Sequence, residues 1–431
     1  MKRYSLFVLL FAMISTSAAM GQINCGIGSP NANKLVCEFP IALGTLQDAS
    51  ALGSAGQATI ASAQATAQPL NNAVAAQVSQ LPLPSASAGV VVLYKNGVPV
   101  TYNNLGPILA DRAQTIGKGK IFLGGAASQF VFTKIDGVNF SALQWGFSRT
   151  ASNSTVVYTG ESIGENMRIN QYLGVLTYGV TNRLDLSAML PFERISIGSS
   201  AGNVTSYMVD ANNVFLAGPI AGASSYTVGR ASGISDLVIN AKFSVYKGDR
   251  ATVSMALNTR FPTGDDLNLL GSGSYGFNPY VVYSYLAKVS PHLKVGYQWN
   301  TKTELNNPTQ TSGGNMNLPG GVLYDIGADW SATRKLTYAA DLLGSQFVNA
   351  PILEETTSTV VTAASGSTPS QTITIPTSVR SVSSYSINSL SAGLKFNPTH
   401  GFVMSCNVLF QVNNSGLRTR PTPTIGASYK F

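Results

Sequence analysis

Residues 251–261 read Ala-Thr-Val-Ser-Met-Ala-Leu-Asn-Thr-Arg-Phe, and this stretch decides the fold class. Its apolar side chains fall on alternate positions: Val253, Met255, Leu257 and Phe261. Its polar side chains lie between them: Thr252, Ser254, Asn258 and Arg260. Because successive side chains of a strand point to opposite faces, this pattern predicts a strand with one apolar and one polar face. Residues 237–245 and 293–300 show the same alternation.

The connections between such segments alternate in length along the chain. Short turns are predicted at 181–183, 247–250, 289–292, 332–335 and 397–400. Long polar stretches separate them at 136–165, 198–232, 263–275, 303–318 and 350–383, with a short last one at 413–418. Tight turns at one end and long loops at the other are typical of outer-membrane barrels. We therefore predict an all-β fold, a transmembrane antiparallel up-and-down β-barrel of about twelve strands spanning residues 116–431.

The composition fits strands that face lipid. The chain is 44% hydrophobic but only 11% charged, against about 25% charged residues in ordinary soluble domains. After the first fourteen residues, no apolar run reaches the roughly 18 residues of a spanning helix. Intrinsic disorder is excluded because it needs low hydrophobicity with high net charge. The net charge of +8 is spread thinly, so no nucleic-acid partner is predicted.

The last segment carries a separate signal. Ile425, Ala427, Tyr429 and Phe431 share one parity, which we predict to face lipid. A closing strand leaves no free sheet edge in the membrane. The aromatic Phe431 resembles the signal by which the barrel assembly machinery recognises its substrates. The predicted partners are therefore outer-membrane lipid, this machinery and a small-molecule solute.

The first residues predict export. Lys2 and Arg3 precede an apolar stretch at 4–14, and Ser17-Ala18-Ala19 supplies small residues for cleavage after Ala19. This predicts a signal peptide over residues 1–19 and a location in the bacterial outer membrane.

The three cysteines fall into two groups. In an oxidising periplasm, Cys25 and Cys37 form a candidate disulfide. Cys406 lies in a predicted strand, where we interpret it as a small hydrophobic residue.

Residues 20–115 form a predicted N-terminal extension of different character. Residues 46–80 are rich in Ala, Gln and Ser and predict one or two helices. An Asn-Gly pair at 96–97 between two β-prone runs predicts a hairpin. The extension is either periplasmic or a plug inside the barrel, and the sequence leaves both open.

Several of the scarce charged residues of the barrel domain fall on the polar parity of the strands. The lumen-lining candidates are Asp185, Glu193, Asp236, Lys242, Arg260, Lys294, Asp325, Asp329, Asp341, Lys395 and Arg420. Charged groups face hydrocarbon only at high cost, so these side chains are predicted to point inward. Twelve strands leave more interior than the eight that side chains just fill. This favours a polar conduit over a lumen filled by paired side chains.

Catalytic motifs occur by pattern but lack the required context. Residues 198–202 match G-x-S-x-G in a predicted loop, whereas a nucleophile elbow joins a strand to a helix. Residues 271–276 match G-x-G-x-x-G but lead into a strand. His292 and His400 fall in predicted turns. We predict that the protein is not an enzyme and needs no cofactor or metal.

Several motifs resemble a known family. They are the segments 112–124, 172–186 and 233–237, together with Arg260-Phe-Pro-Thr-Gly-Asp and the following Gly271-Ser-Gly. In this order they resemble the outer-membrane β-barrel transporters of the meta-pathway of phenol degradation. The resemblance covers residues 111–431 and implies porin-like uptake of small compounds, aromatic or hydrophobic ones included. It transfers no substrate-binding residue.

Two functions follow from these observations. The first is passage of small molecules through the barrel, motivated by its polar interior. The alternative is a structural or adhesive outer-membrane barrel that uses long extracellular loops such as 354–384.

Overall fold

The computed structural model describes residues 25, 30–38, 74, 77, 78, 81, 91–95, 98–102, 104–150, 154–222, 224–303, 305, 317–399 and 401–431. The predicted signal peptide and most of the predicted helical stretch lie outside these residues. Within them, no helix is long and apolar enough to cross a membrane.

Two short 3-10 helices span Leu35–Cys37 and Asp266–Asn268. The strands are β1 (Val91–Lys95), β2 (Val98–Tyr102), β3 (Ile121–Ile135), β4 (Val138–Asn139), β5 (Leu143–Thr150), β6 (Val156–Gly179), β7 (Leu184–Val209), β8 (Phe215–Ala221), β9 (Ser225–Ile234), β10 (Leu237–Lys247), β11 (Ala251–Phe261), β12 (Gly276–Tyr285), β13 (Val289–Asn300), β14 (Gly320–Ser331), β15 (Leu336–Val361), β16 (Thr372–Thr399), β17 (Phe402–Gln411), β18 (Leu417–Thr419) and β19 (Thr422–Lys430). β1 and β2 form the hairpin predicted around the Asn-Gly pair.

The barrel wall consists of twelve antiparallel strands in the part of the chain that the structure describes. β9 and β10 both pair with β7 and together make one wall strand. The ring closes where β19 pairs with β3, with Tyr429 opposite Leu123. The predicted fold is therefore confirmed. We call the end with the short turns and Phe431 the turn end, and the opposite end the loop end.

The wall strands alternate between a lipid face and a lumen face. On β11, Met255 and Leu257 are exposed while Ser254 is fully buried, as the parity of residues 251–261 predicts. At the turn end, the outward-facing rings of Trp330 and Tyr338 stack with centroids 5.6 Å apart. At the loop end, Trp299 pairs with Phe277 across β13 and β12, and both rings are exposed. Aromatic residues thus flank the apolar band on both sides, as in membrane barrels.

Three of the predicted long loops are in fact largely strand. β5 and β6 occupy much of 136–165, and β7 and β9 occupy much of 198–232. β15 and β16 pair without interruption from Ala350–Ser383 up to Val361–Thr372. A membrane crossing needs about 9–11 residues, so these hairpins extend well beyond the membrane. Outside the membrane no lipid requires an apolar face, so the apolar parity is lost although Thr and Val still favour β structure.

The β7–β8 and β15–β16 hairpins contact each other beyond the loop end of the barrel. The Asn213 amide of the β7–β8 connection donates to the Val361 carbonyl at 2.8 Å. Val209, Ile373 and Ile375 form a buried cluster between them. The hairpins therefore form one β-rich extracellular layer.

The predicted turns at 181–183 and 332–335 fall between strands, and so does the one at 247–250 except for Lys247, the last residue of β10. The turn predicted at 289–292 is wrong, because β13 already begins at Val289 and includes His292. A turn was predicted there because proline is rare inside strands, but Pro291 lies within β13. β16 runs through Thr399, so the last turn starts later than predicted, and His400 lies outside the described residues.

Candidate functional site

The lumen contains most of the charged side chains that the strand parity assigned to it. Nine of the eleven are buried: Asp185, Glu193, Asp236, Lys242, Arg260, Asp325, Asp329, Asp341 and Lys395. Lys294 is partly buried, with a side chain 17% exposed. Arg420 is the exception. It lies exposed between β18 and β19, because the last wall strand begins only at Thr422.

Residues 104–116 of the N-terminal extension lie inside the barrel at its turn end. The Asn104 amide donates to Ser290 Oγ at 2.9 Å, and the Ala113 backbone amide donates to Ser284 Oγ at 2.9 Å. The Ile116 amide donates to Asp185 Oδ2 at 2.8 Å. These partners sit on β13, β12 and β7. Contacts to several strands around the ring place the segment across the lumen.

Lys395 on β16 holds the same segment by its backbone. Its ammonium group donates to the carbonyl of Leu105 at 3.3 Å and also to the carbonyl of Pro107. Lys395 is 3% exposed. An ammonium group buried this deeply requires hydrogen-bond acceptors, and the extension supplies two of them.

A second polar network joins the extension to β10, β11 and β12. Tyr280 donates its hydroxyl proton to Asp111 Oδ2 at 2.7 Å, and Lys242 lies 3.3 Å from Asp111 Oδ1. The Asn240 amide donates to the Tyr280 hydroxyl at 2.9 Å and to Asn258 Oδ1 at 2.6 Å. Sequence parity placed Lys242, Asn240 and Asn258 on the polar face. Their partner Asp111 was not predicted.

His292 is a lumen residue that the sequence analysis assigned to a turn. Its Nε2 lies 2.9 Å from Asp341 Oδ1, and its Nδ1 lies 3.7 Å from Asp329 Oδ2. All three side chains are buried. His292 lies two residues before Lys294 on β13 and therefore on the same face of the strand. Extending the alternation of this strand back to Val289 would have predicted that His292 faces the lumen.

An earlier part of the extension lies at the loop end. A disulfide joins Cys25 and Cys37, and both residues are buried. They belong to an apolar cluster with Leu35, Val74 and wall residues such as Ile163.

Polar contacts also hold the N-terminal extension to the barrel at the loop end. Lys34 Nζ lies 2.7 Å from Asp265 Oδ2, and the Gln77 amide donates to the Tyr385 hydroxyl at 3.2 Å. Burial raises the pKa of Asp265, but the hydrogen bond and charge of Lys34, together with hydrogen bonds from Asn268, lower it by more, so that the pKa lies below its usual value.

A chamber of about 290 Å³ lies between these two parts of the extension. Leu109 and Asp111 line it from the turn end, and Gln77 and Leu81 line it from the loop end. Strands β10–β13 supply a mostly polar wall: Asn240, Asn258, Arg260, Asn278, Tyr280 and Lys294. The opposite wall, on β3, β17 and β18, is mostly apolar: Phe130, Phe132, Leu409 and Leu417. β14 and β15 add Leu323 and Leu343 between the two walls.

Three of the segments that carried the family resemblance, 233–237, 260–265 and 271–273, meet at Asp236. Its Oδ2 accepts hydrogen bonds from the Ser272 amide at 2.8 Å and from the Ser272 hydroxyl at 2.5 Å. Its Oδ1 accepts one from the Gly264 amide at 3.2 Å, and Arg260 Nε lies 3.7 Å from Oδ2. A Cβ on Gly271 would lie 2.6 Å from Asp236 Oδ1, so a side chain there would collide. This motif therefore anchors the loop of residues 262–275 to the wall.

Comparisons with known proteins add a family. A family model described as "Putative MetA-pathway of phenol degradation" matches residues 146–375. A comparison with curated proteins finds no match.

Among solved structures, the chain is similar to an outer membrane channel from Pseudomonas putida F1, with 12% identity, a TM-score of 0.44, and coverage of 74% of this chain and 98% of that one. It is also similar to the P. putida toluene transporter TodX, with 9% identity, a TM-score of 0.30, and coverage of 72% and 89%. For the NanC porin the values are 9% identity, a TM-score of 0.34, and coverage of 71% and 100%.

Proposed function

The chain belongs to this phenol-degradation family, and on that premise we propose that it is a channel for small molecules, aromatic and hydrophobic compounds among them. It is a β-barrel of the bacterial outer membrane, with an apolar band toward lipid and its charges inside. The solutes would pass through the lumen from the loop end to the turn end.

The chamber is the observation that carries this proposal. It sits in the middle of the lumen and combines a polar wall on β10–β13 with an apolar wall on the opposite side. Ligand sites are typically apolar concavities with a few placed polar groups. A lumen filled only by paired side chains would leave no such space.

The N-terminal extension would act as the plug of this channel. Residues 104–116 bind to the wall at the turn end, and Cys25 and residues 35–37 pack against it at the loop end. A solute that enters the chamber can leave toward the turn end only if residues 104–116 shift. We therefore expect passage to depend on movement of this segment.

Uptake by whole cells tests the channel. Cells that produce the full chain should take up labelled phenol and toluene faster than cells without it, while a disaccharide should enter both equally. Single-channel recordings on the refolded protein should show rare openings. Equal uptake with and without the chain, together with a silent bilayer, would refute the proposal.

We also propose that the protein has no catalytic role. The residues that match G-x-S-x-G lie within β7 rather than at a strand-to-helix turn, and Ser200 donates to the Gly164 carbonyl at 3.2 Å. Among the residues the structure describes, no group of three or more His, Cys, Asp or Glu side chains could hold a metal ion.

The remaining partners are proposals too. We expect the barrel assembly machinery to engage β19 and Phe431, because the rings of Tyr429 and Phe431 both lie on the exposed face with centroids 4.6 Å apart. Nucleic acid is not an expected partner.

A further inference from the structure

Three arginines project outward from neighbouring wall strands near the loop end. Arg168 lies on β6, Arg194 on β7 and Arg230 on β9, and all three are exposed. Arg168 and Arg230 both lie opposite Ser196 of β7, so they belong to one row across the three strands. Arg194 is two residues from Ser196 on β7 and therefore points to the same face. Because neighbouring strands lie about 4.8 Å apart, the three backbone positions share a patch about 10 Å wide.

The positive charge of this patch is not neutralised by the strands that carry it. β6, β7 and β9 contain acidic residues only on the inward parity, where they are buried: Glu161, Glu165, Asp185 and Glu193. In the part of the chain that the structure describes, none of the three arginines forms an ion pair. The three guanidinium groups are therefore available to an anionic partner outside the barrel.

The patch lies just beyond the apolar band. An exposed apolar row crosses the same three strands: Tyr172, Phe192 and Ile234. Arg194 is one outward-facing position beyond this row, and Arg168 and Arg230 are two positions beyond it. With a rise of about 3.4 Å per residue and a strand tilt of about 40°, the arginines lie roughly 5–10 Å above the apolar row. This is the depth of the lipid headgroups.

Arginine at this depth is suited to phosphate. The planar guanidinium group donates two parallel hydrogen bonds to a phosphate and keeps its charge at any ordinary pH. Basic clusters at the membrane surface bind anionic lipid headgroups. Three such groups within about 10 Å fit a headgroup that carries more than one phosphate. In the outer leaflet of the outer membrane, that lipid is lipopolysaccharide, whose two lipid A sugars carry phosphate groups.

An exposed aromatic ring lies farther from the membrane on the same strand as Arg230. Tyr226 is 70% exposed. It lies over Gly198 of β7, where a Cβ would come within 3.2 Å of the tyrosine hydroxyl oxygen. The face of an aromatic ring carries partial negative charge, which attracts the C–H groups of sugars. A glycolipid extends beyond its phosphates as a saccharide, so this ring suits a glycolipid better than a glycerophospholipid.

We propose that Arg168, Arg194 and Arg230 form a binding surface for lipopolysaccharide, with the guanidinium groups on its phosphates and the ring of Tyr226 against its sugars. This surface faces the membrane rather than the lumen, and the inference is independent of the proposed channel function.

Binding to the folded full-length protein in detergent tests the surface, with lipopolysaccharide, dephosphorylated lipopolysaccharide and phosphatidylglycerol as probes. The unmodified protein should bind lipopolysaccharide most tightly. The triple variant Arg168→Gln, Arg194→Gln and Arg230→Gln should bind it about 100-fold more weakly, because each cation near an anionic lipid surface contributes about fivefold. Removing the phosphates should weaken binding to the unmodified protein by a similar factor and have little effect on the triple variant. Since each protein is compared with both forms of the lipid, a folding defect cannot mimic this pattern.

A second triple variant removes the same charge elsewhere. Arg183→Gln, Arg334→Gln and Lys335→Gln alter exposed residues in turns at the opposite end of the barrel. This variant should bind lipopolysaccharide as the unmodified protein does. Tyr226→Ala should weaken binding of complete lipopolysaccharide but leave binding of lipid A, which lacks the outer sugars, unchanged.

Unchanged lipopolysaccharide binding in the Arg168, Arg194 and Arg230 variant would overturn the proposal, as would an equal loss in the turn-end variant. Phosphatidylglycerol binding as tight as lipopolysaccharide would also overturn it, because any anionic lipid would then suffice.

Discussion

The ammonium group of Lys395 on β16 donates a hydrogen bond to the carbonyl of Leu105 at 3.3 Å, which ties the barrel wall to a segment 290 residues earlier in the chain. Removing this donor should loosen residues 104–116. In Lys395→Met, which preserves the length of the side chain, we expect the open probability in planar bilayers to rise about tenfold, because a buried charge-assisted hydrogen bond contributes about 1.5–3 kcal/mol.

Lys335→Met is the matched control for this variant. Lys335 also donates to a carbonyl, that of Pro398 at 3.2 Å, but it lies on an exposed turn. It should leave the open probability unchanged. Equal conductance of Lys395→Met and the unmodified protein would show that the Leu105 contact does not restrain the channel.

A covalent link between the segment and the wall should block passage. The Ala113 amide is 2.9 Å from Ser284 Oγ, so a cysteine pair, Ala113→Cys with Ser284→Cys, places two thiols close together. Oxidation should abolish phenol uptake, and reduction should restore it. The unmodified protein and each single variant receive the same treatments, because reductant also acts on the Cys25–Cys37 disulfide. Uptake that persists in the oxidised double variant would mean that solutes do not need this segment to move.

The imidazole of His292 should stabilise the barrel through its hydrogen bond to the buried carboxyl group of Asp341 and its proximity to that of Asp329. Its Nε2 lies 2.9 Å from Asp341 Oδ1, and Asp329 approaches its other nitrogen at 3.7 Å. His292→Leu should lower the free energy of unfolding by about 3 kcal/mol, since it leaves buried acids without a partner. His292→Gln keeps a donor and should lose less than half as much. Urea unfolding followed by tryptophan fluorescence measures both, and similar losses in the two variants would argue against the hydrogen bond.

Asp236 should hold the loop of residues 262–275 in place. In Asp236→Ala the Ser272 and Gly264 amides lose their shared acceptor, and their hydrogen exchange should accelerate at least tenfold. Gly271→Ala should have a similar effect through steric collision with Asp236. Gly202→Ala is the control, because a Cβ there meets nothing within 4 Å. Slow exchange at both amides in Asp236→Ala would contradict this assignment.

Local patterns predicted the wall well. The parity of residues 251–261 identified β11 and its lumen face, because burial in a barrel repeats every two residues wherever lipid lies outside and polar groups lie inside. The same rule fails above the membrane. Residues 350–383 have no continuous apolar face there. Their sequence therefore predicted a loop, although most of them form the paired strands β15 and β16.

The candidate site was only partly predictable for a different reason. Parity placed Lys242 in the lumen, but its partner Asp111 precedes it by 131 residues and belongs to no wall strand. Asn278 lies on the same inward parity. That its Oδ1 has no hydrogen-bond partner among the described residues depends on the side chains of several strands. The parity of the last strand predicted that Arg420 faces the lumen, but this strand, β19, begins only at Thr422.

The sequence by itself determined that the chain is a membrane barrel, because each strand carries its own alternation of lipid and lumen faces and the solvent outside is the same for all of them. Only the tertiary structure decided that residues 104–116, residue 25 and residues 30–38 lie within that barrel. Their placement depends on hydrogen bonds and packing with strands hundreds of residues away, and such contacts leave no periodic trace in the segments that make them.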